Sequence, residues 1–150
     1  MSQRPVRTLL VATLSVALYA RGAAAQLVVD PHGRVRTITE ALAAVRPGQR
    51  VVIRPGTYRE PTLVVRTAGV TIEGDGWPVL DGQGQRAVLV IAADDVTVRG
   101  LDVARTGVSN IEDRAGIRVR EAANCRIVHN RLRDNLFGRS EEHTSELQSH

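Results

Sequence analysis

Beyond Gly48 the chain alternates aliphatic and polar residues in short segments that are separated by Gly, Asp and Asn. Alternation with a period of two predicts β-strands that bury one face. Four segments have similar beginnings and start 19, 26 and 29 residues apart: VVIRPGTY at Val51, VTIEGDG at Val70, VTVRGLD at Val96 and CRIVHNR at Cys125. Because a regular strand-turn-strand pattern with irregular spacing is typical of solenoids, residues 51–138 are predicted to form stacked coils.

This alignment assigns residues to the turns and to the interior of the coils. Gly74, Gly100 and Asn130 are assigned the same place after the first strand of three successive coils, and these residue types tolerate positive φ most readily. Cys125 falls in register with two inward-facing valines. We therefore expect Cys125 to be a small buried core residue and not a reactive thiol.

The segment that precedes the coils has a helical period. After a strand-like LVVD, the run TITEALAAVRPG begins with Thr37 as N-cap and Glu40 three residues later, which is a capping box. Ile38, Leu42 and Val45 share one face, and a Pro-Gly pair ends the run. We expect this helix to lay its apolar face over the open end of the first coil, so that residues 26–50 act as an amino-terminal cap.

The first 25 residues have the layout of a secretory signal. Arg4 and Arg7 precede an apolar stretch that is too short to span a bilayer, and small residues follow up to Ala25. This pattern predicts Sec-type export with cleavage between Ala25 and Gln26, and no stable membrane span after cleavage. The single cysteine means that no internal disulfide can form.

Residues 139–150 read RSEEHTSELQSH, and they break the strand pattern. The eleven residues from Arg139 to Ser149 match the in-frame translation of a common sequencing adapter. We therefore interpret this stretch as a non-native tail, and we expect the natural coils to continue beyond Gly138.

The composition argues against nucleic acid as a partner. All 20 basic residues are arginine, and residues 26–138 hold 16 Arg against 13 Asp and Glu without a basic run. Aromatic residues make up only 3% of the chain. Nucleic-acid binding is favoured by clustered positive charge and, for single strands, by aromatic stacking.

The run TITEALAAVRPGQRVVIRPGTYRE, followed by GVTIEGDGWPVLDG, resembles the first coils of right-handed parallel β-helix proteins of the pectin-lyase-like type. The stretch DRAGIRVREAANCRIVHNRLRDNLFG resembles the NosD family of periplasmic maturation proteins. This resemblance implies an all-β parallel β-helix in the periplasm. It also implies a non-enzymatic accessory protein that works with an ABC-type transporter to assemble the copper-sulfur centre of nitrous oxide reductase.

The resemblance identifies no copper ligands or other cofactor site in this chain. His129, His32 and Cys125 are the imidazole and thiol donors of residues 26–138, whereas copper sites usually use several such groups. His129 remains a weak candidate ligand, because its place beside Asn130 also suits an exposed turn residue.

The alternative is a polysaccharide lyase or epimerase, or a carbohydrate-binding β-helix protein. Proton abstraction beside a carboxylate needs a base and a positive centre, and the chain offers several acids with Arg99 and Arg118 as possible anion stabilisers. The acids are Asp75, Asp81, Asp94, Asp95, Asp102, Glu112 and Asp113. Aligned outward positions predict a surface ion pair between Glu73 and Arg99, and a turn accounts for Asp94 and Asp95.

Sugar binding would favour exposed aromatic side chains. Trp77, Tyr58 and Phe137 are the candidates after the signal segment, and Tyr58 follows a Pro-Gly-Thr turn, where we expect it to pack against the core.

Overall fold

The computed structural model describes residues 25–107 and 115–135, together with the backbone of residues 137–142 and 147–149. The predicted signal segment, apart from Ala25, lies outside the described residues, as do Glu112 and Asp113. The elements are, in chain order, β1 (Gln26–Val29), α1 (Ile38–Ala44), β2 (Arg50–Ile53), β3 (Thr57–Tyr58), β4 (Leu63–Val65), β5 (Thr71–Gly74), β6 (Val79–Asp81), β7 (Leu89–Ile91), β8 (Thr97–Arg99), β9 (Asp102–Ala104), β10 (Ala115–Arg120), β11 (Cys125–Val128), β12 (Arg131–Arg133), β13 (Phe137–Glu142) and β14 (Leu147–Ser149).

The strands form three parallel sheets that run along a right-handed β-helix of about four coils, as the sequence predicted. Sheet 1 has the order β1-β2-β5-β8-β11-β14, sheet 2 has β3-β6-β9-β12, and sheet 3 has β4-β7-β10-β13. Each coil from β2 onward gives one strand to each sheet in turn. The connection from sheet 2 to sheet 3 varies most in length, from three residues (134–136) to ten (105–114).

Alternate residues of each strand fill the interior. Val51, Ile72 and Val98 are each 1% exposed or less, and they stack in register along sheet 1. The predicted alignment of Val70, Val96 and Cys125 is confirmed by the pairing of the residues that follow them. The first coil was misaligned by two residues, because Val51 pairs with Ile72 and not with Val70. A shift of two keeps the same face inward, so the predicted core was unaffected.

The turn after sheet 1 differs by one residue from the prediction. Glu73, Arg99 and Val128 are in register, so the residue that corresponds to Gly74 and Gly100 is His129 and not Asn130. Gly100 has φ +73° and His129 has φ +53°, whereas Gly74 does not have positive φ. Histidine is one of the residues that enter the left-handed region more often than most, which explains its place there.

Asn130 instead joins two coils through its side chain. Its Oδ1 accepts a hydrogen bond from the N–H of Leu101 (3.1 Å), and its Nδ2 donates to the carbonyl of Val98 (3.0 Å). Asn135 repeats this arrangement one corner later, with the N–H of Thr106 (3.2 Å) and the carbonyl of Val103 (3.0 Å). Each asparagine therefore ties its own coil to the backbone of the preceding coil at the corner where the strands end.

The amino-terminal cap uses both a helix and a strand. Thr37 is the N-cap of α1, as predicted, and its Oγ1 accepts from the N–H of Glu40 (3.1 Å). The carboxylate of Glu40 accepts from the N–H of Arg36 (3.4 Å) and not from that of Thr37, so the capping box is incomplete. Glu60 completes the cap, because its carboxylate accepts from the N–H groups of Ile38 (2.7 Å) and Thr39 (2.8 Å).

The helix covers only part of the first coil. Ile38 and Ala41 of α1 and the following Val45 are buried, and the helix packs against β4, β1 and β2. The edge of sheet 1 is covered by β1, which pairs with β2 in parallel. No helix among the described residues is both long and apolar enough to cross a membrane.

Candidate binding face on the second sheet

Two carboxylates occupy outward positions on sheet 2 and are nevertheless buried. Asp81 ends β6 and is 4% exposed, and Asp102 begins β9 and is 5% exposed. The two residues do not lie in the same row, since Asp81 pairs with Ala104 and Asp102 pairs with Val79. Burying a carboxylate is costly unless it is paired, so their neighbours decide what these groups can do.

Asp81 is held by two arginines from the coils on either side. Arg105 donates from Nε to Oδ1 (3.0 Å) and from Nη2 to Oδ2, and Arg59 donates from Nε to Oδ2 (3.2 Å). The N–H of Gln83 adds a bond to Oδ1 (2.8 Å). The Arg105 guanidinium lowers the pKa of Asp81 from its ordinary value, although burial acts in the opposite direction. Asp81 is therefore a fixed anion at neutral pH.

Asp102 forms the same kind of pair with the next coil. Arg133 donates from Nε to Oδ1 (2.9 Å) and from Nη2 to Oδ2 (2.8 Å). Arg105 and Arg133 thus each reach back to the carboxylate of the preceding coil, and hydrogen bonding to it raises the pKa of each guanidinium. Two-point pairing of this kind fixes the plane as well as the position of a guanidinium.

The pairs with Asp81 and Asp102 leave part of each arginine side chain exposed. About half of the side chain is exposed in Arg59, Arg105 and Arg133. Pairing through Nε and Nη2 uses one edge of the guanidinium, and within the described residues Nη1 of Arg105 and of Arg133 has no hydrogen-bond partner. Such groups are suited to hydrogen-bonding a second carboxylate or another oxyanion.

An aromatic side chain lies at the corner that leads into the same sheet. Trp77 is 39% exposed and has φ +60°, in the turn between β5 and β6. The guanidinium of Arg131 lies 3.8 Å from the centre of its ring, which is a cation-π contact. We call the set formed by Arg59, Asp81, Asp102, Arg105, Arg131, Arg133 and Trp77 the arginine face.

The charged residues of sheet 1 follow the sequence prediction. Glu73 and Arg99 are in register on neighbouring strands, and Arg99 Nη2 lies 2.9 Å from Glu73 Oε2. Arg50 adds a second, longer contact to the same oxygen (3.4 Å). All three side chains are partly exposed, so this is the surface ion pair that was expected.

Other candidate acids have structural partners. Asp95 has φ +58° in the turn between sheets 3 and 1, and Asp94 accepts from the N–H of Ala123 (2.8 Å), which confirms the expected turn. Asp75 forms an exposed pair with Arg54. Tyr58 is 6% exposed and donates its hydroxyl to the carbonyl of Arg54 (2.9 Å), as expected of a packing residue.

The described residues do not fit a copper site. Within residues 25–107 and 115–135, no group of three or more His, Cys, Asp or Glu side chains lies close enough to hold a metal ion. His129 is exposed, and Cys125 is 1% exposed in the core, as predicted. Burial raises the pKa of the Cys125 thiol, which disfavours the thiolate that a metal needs.

Comparison with known proteins adds no relative, since no protein-family model and no curated protein matches this chain.

Proposed function

We propose that this chain forms the first coils of an exported β-helix accessory protein of the NosD type, which acts by binding and not by catalysis. Its role would be to assist assembly of the copper-sulfur centre of nitrous oxide reductase. An ABC-type transporter would be its membrane partner. Copper would belong to the reductase, and the described residues would supply a rigid surface.

The observation that carries the non-catalytic part of the proposal is the pairing of Asp81. A carboxyl that acts as a general acid near neutral pH needs a raised pKa, whereas the pKa of Asp81 is lowered. A general base needs a free oxygen, whereas both oxygens of Asp81 accept hydrogen bonds from arginines. Asp102 has both oxygens engaged by Arg133. These carboxylates therefore orient arginines, which present donors to a partner.

The NosD part of the proposal is supported by the segment that resembles this family. Its second half forms β11 and β12, and Asn130 and Asn135 each bind backbone groups of the preceding coil. Arg131 and Arg133 of the same segment belong to the arginine face. The residues that carry the resemblance thus supply both the coil contacts and part of the exposed positive surface.

Deletion of the intact gene in its host tests this proposal. We expect nitrous oxide reductase to be exported without its copper-sulfur centre, seen as the loss of that centre's visible absorption and of nitrous oxide reduction. Complementation with the natural gene should restore both. A gene that encodes Arg105→Gln and Arg133→Gln should restore them less well than one with Arg50→Gln on sheet 1. A fully active reductase in the deletion strain would contradict the proposal.

The arginine face favours a second candidate, which is binding of an acidic polysaccharide. The exposed arginine edges suit uronate carboxylates, and Trp77 offers an aromatic surface to a sugar ring. Affinity electrophoresis in gels that contain polygalacturonate or alginate tests this candidate, with the Arg50→Gln variant as control. Retardation that depends on Arg105 and Arg133 and weakens with salt would favour it. Release of unsaturated uronate products would point to a lyase instead.

A further inference from the structure

At the amino-terminal end of the solenoid, sheet 1 and sheet 3 are covered in different ways. In sheet 1, β1 lies beside β2 and extends the parallel ladder by one strand. In sheet 3, β4 is the outermost strand, and its neighbour on that side is α1. A helix surface cannot complete a β-ladder. The outer side of β2 therefore has a strand partner, whereas the outer side of β4 has none among the described residues.

The register shows which backbone groups of β4 face α1. Leu63 donates its N–H to the carbonyl of Val88 (2.9 Å), and Val65 accepts from the N–H of Ala92 (2.9 Å), so both residues bond toward β7. In a parallel ladder the intervening residue points its N–H and C=O to the opposite side. Val64 therefore turns both groups toward α1, and no backbone hydrogen bond joins α1 to β4 among the described residues.

A groove of about 310 Å³ lies between α1 and β4. This volume is at the lower end of the roughly 300–1,000 Å³ that is typical of ligand pockets. Leu42 and Ala43 of α1 line one wall, and Leu63 and Val64 line the other. Arg66 lies at the end of the groove that follows β4, is exposed, and forms no ion pair or hydrogen bond within the described residues. Thr39 and Thr62 also line the groove, which thus combines largely apolar walls, an open strand edge and a free positive charge.

We infer that this groove binds an extended peptide segment of a partner protein, which adds to sheet 3 beside Val64 as β1 adds to sheet 1. Peptide N–H and C=O groups pair with the C=O and N–H of Val64, and an apolar side chain contacts Leu42 and Ala43. A carboxylate, from an acidic residue or from the carboxyl terminus of the peptide, pairs with Arg66. A small apolar ligand would leave the strand edge unsatisfied, which is why a peptide backbone is the favoured occupant.

The probe is a short fluorescent peptide of alternating valine and threonine that ends in aspartate, and the full chain binds it in a fluorescence anisotropy titration. The same peptide with N-methylated backbone amides should bind at least about tenfold more weakly, because it loses the ladder hydrogen bonds. With both carboxyl termini amidated, a version that ends in lysine should also bind more weakly than the one that ends in aspartate. Arg66→Glu should reverse that order, whereas Arg46→Glu, which changes an exposed arginine outside the groove, should not.

Two neighbouring alanines of α1 give a matched pair of variants. Ala43 lines the groove and Ala44 does not, although both are exposed. Ala43→Phe should fill the groove and weaken peptide binding at least about tenfold, and Ala44→Phe should leave it unchanged. Equal melting temperatures would show that both variants are folded.

Two outcomes would overturn the inference. One is a dissociation constant above about 1 mM for every peptide with the folded wild-type chain. The other is a concentration-dependent dimer, seen by analytical ultracentrifugation, that Ala43→Phe abolishes, because the groove would then serve a second copy of the chain. Neither outcome depends on nitrous oxide reductase, so the inference can fail while the proposed function stands.

Discussion

Sheets 1 and 2 carry comparable numbers of charges but hold successive coils together in different ways. In sheet 1 the backbones of Gly74 and Gly100 approach closely, and the ion pair of Glu73 with Arg99 remains partly exposed. In sheet 2, Asp81 and Asp102 are buried under the arginines that pair with them. The environment of a charge, and not its presence, therefore decides how much the charge contributes to the fold.

The largest effect should come from the backbone contact in sheet 1. Gly100 has φ +73°, and a Cβ added there would lie 2.6 Å from the carbonyl oxygen of Gly74. Gly100→Ala should lower the free energy of unfolding by about 3 kcal/mol or more, because strain in φ is added to a backbone clash. Urea denaturation followed by circular dichroism measures this change.

Gly84 is the matched control for that variant. It has φ +69° but no atom within 4 Å of an added Cβ, so Gly84→Ala reports the strain in φ alone, at about 1 kcal/mol. Equal losses for the two variants would show that the close approach of the coils has no energetic weight.

The next largest effect should come from Asp81 on the arginine face. Asp81→Ala removes the partner of Arg59 and Arg105 and leaves the N–H of Gln83 without its acceptor. We expect a loss of about 2–3 kcal/mol, which is below the roughly 3–5 kcal/mol of a fully buried broken pair because the arginines are half exposed. Urea denaturation at neutral pH measures it, and a loss under 1 kcal/mol would mean that the arginines repack into solvent at little cost.

The same pair should make stability depend on pH. The pKa of Asp81 is lower in the folded chain than its ordinary value of 3.8, so its stabilising contribution is complete above that value. The contribution is lost as the pH falls below 3.8 and through the lowered pKa. Asp81→Asn should therefore flatten the acid side of the stability profile, measured by urea denaturation at several pH values. An unchanged slope in the variant would assign the acid sensitivity to other carboxyl groups.

A smaller effect is expected at the corner between the two sheets. Asn130→Ala removes one accepted and one donated hydrogen bond to the preceding coil, at about 1–2 kcal/mol. Asn130→Asp keeps the acceptor for the N–H of Leu101 but sets a second acceptor against the carbonyl of Val98, so its cost contains repulsion as well as the lost bond. Thermal unfolding of both variants is the measurement, and wild-type stability of Asn130→Ala would show that water replaces the side chain.

The smallest effect should be that of the ion pair on sheet 1. Glu73→Gln should cost less than about 1 kcal/mol, because both partners are partly exposed and salt screens their attraction. Urea denaturation at low and high salt checks this value. A cost equal to that of Asp81→Ala would remove the contrast between the two sheets.

The sequence was sufficient for the fold because the alternation of Val, Ile and Leu is repeated in every coil. The alignment misplaced the first coil by two residues and the turn at His129 by one. It matched residues of similar type, whereas the register is set by the pairing of the strand backbones. The helix cap was only half predicted, since Glu60 binds α1 from a loop more than 20 positions away.

The arginine face was missed for a related reason. Asp81 and Asp102 were recognised as acids, but their partners lie 22, 24 and 31 residues away in sequence. Coils of unequal length hide which arginine lies above which carboxylate, so the pairs become visible only when the ladder fixes the register. Glu73 and Arg99 were paired correctly because both lie in a recognisable strand, at the same position in each.

The corner between sheets 2 and 3 absorbs most of the variation in coil length, from three to ten residues, while the other two corners stay between two and five. Insertions at this one corner leave the register of every sheet intact, since the cost of closing a loop grows only slowly with its length. Evolution can therefore lengthen or replace these loops one coil at a time without refolding the scaffold. Related chains should differ there first, and a laboratory library of inserted loops is best placed at the same corner.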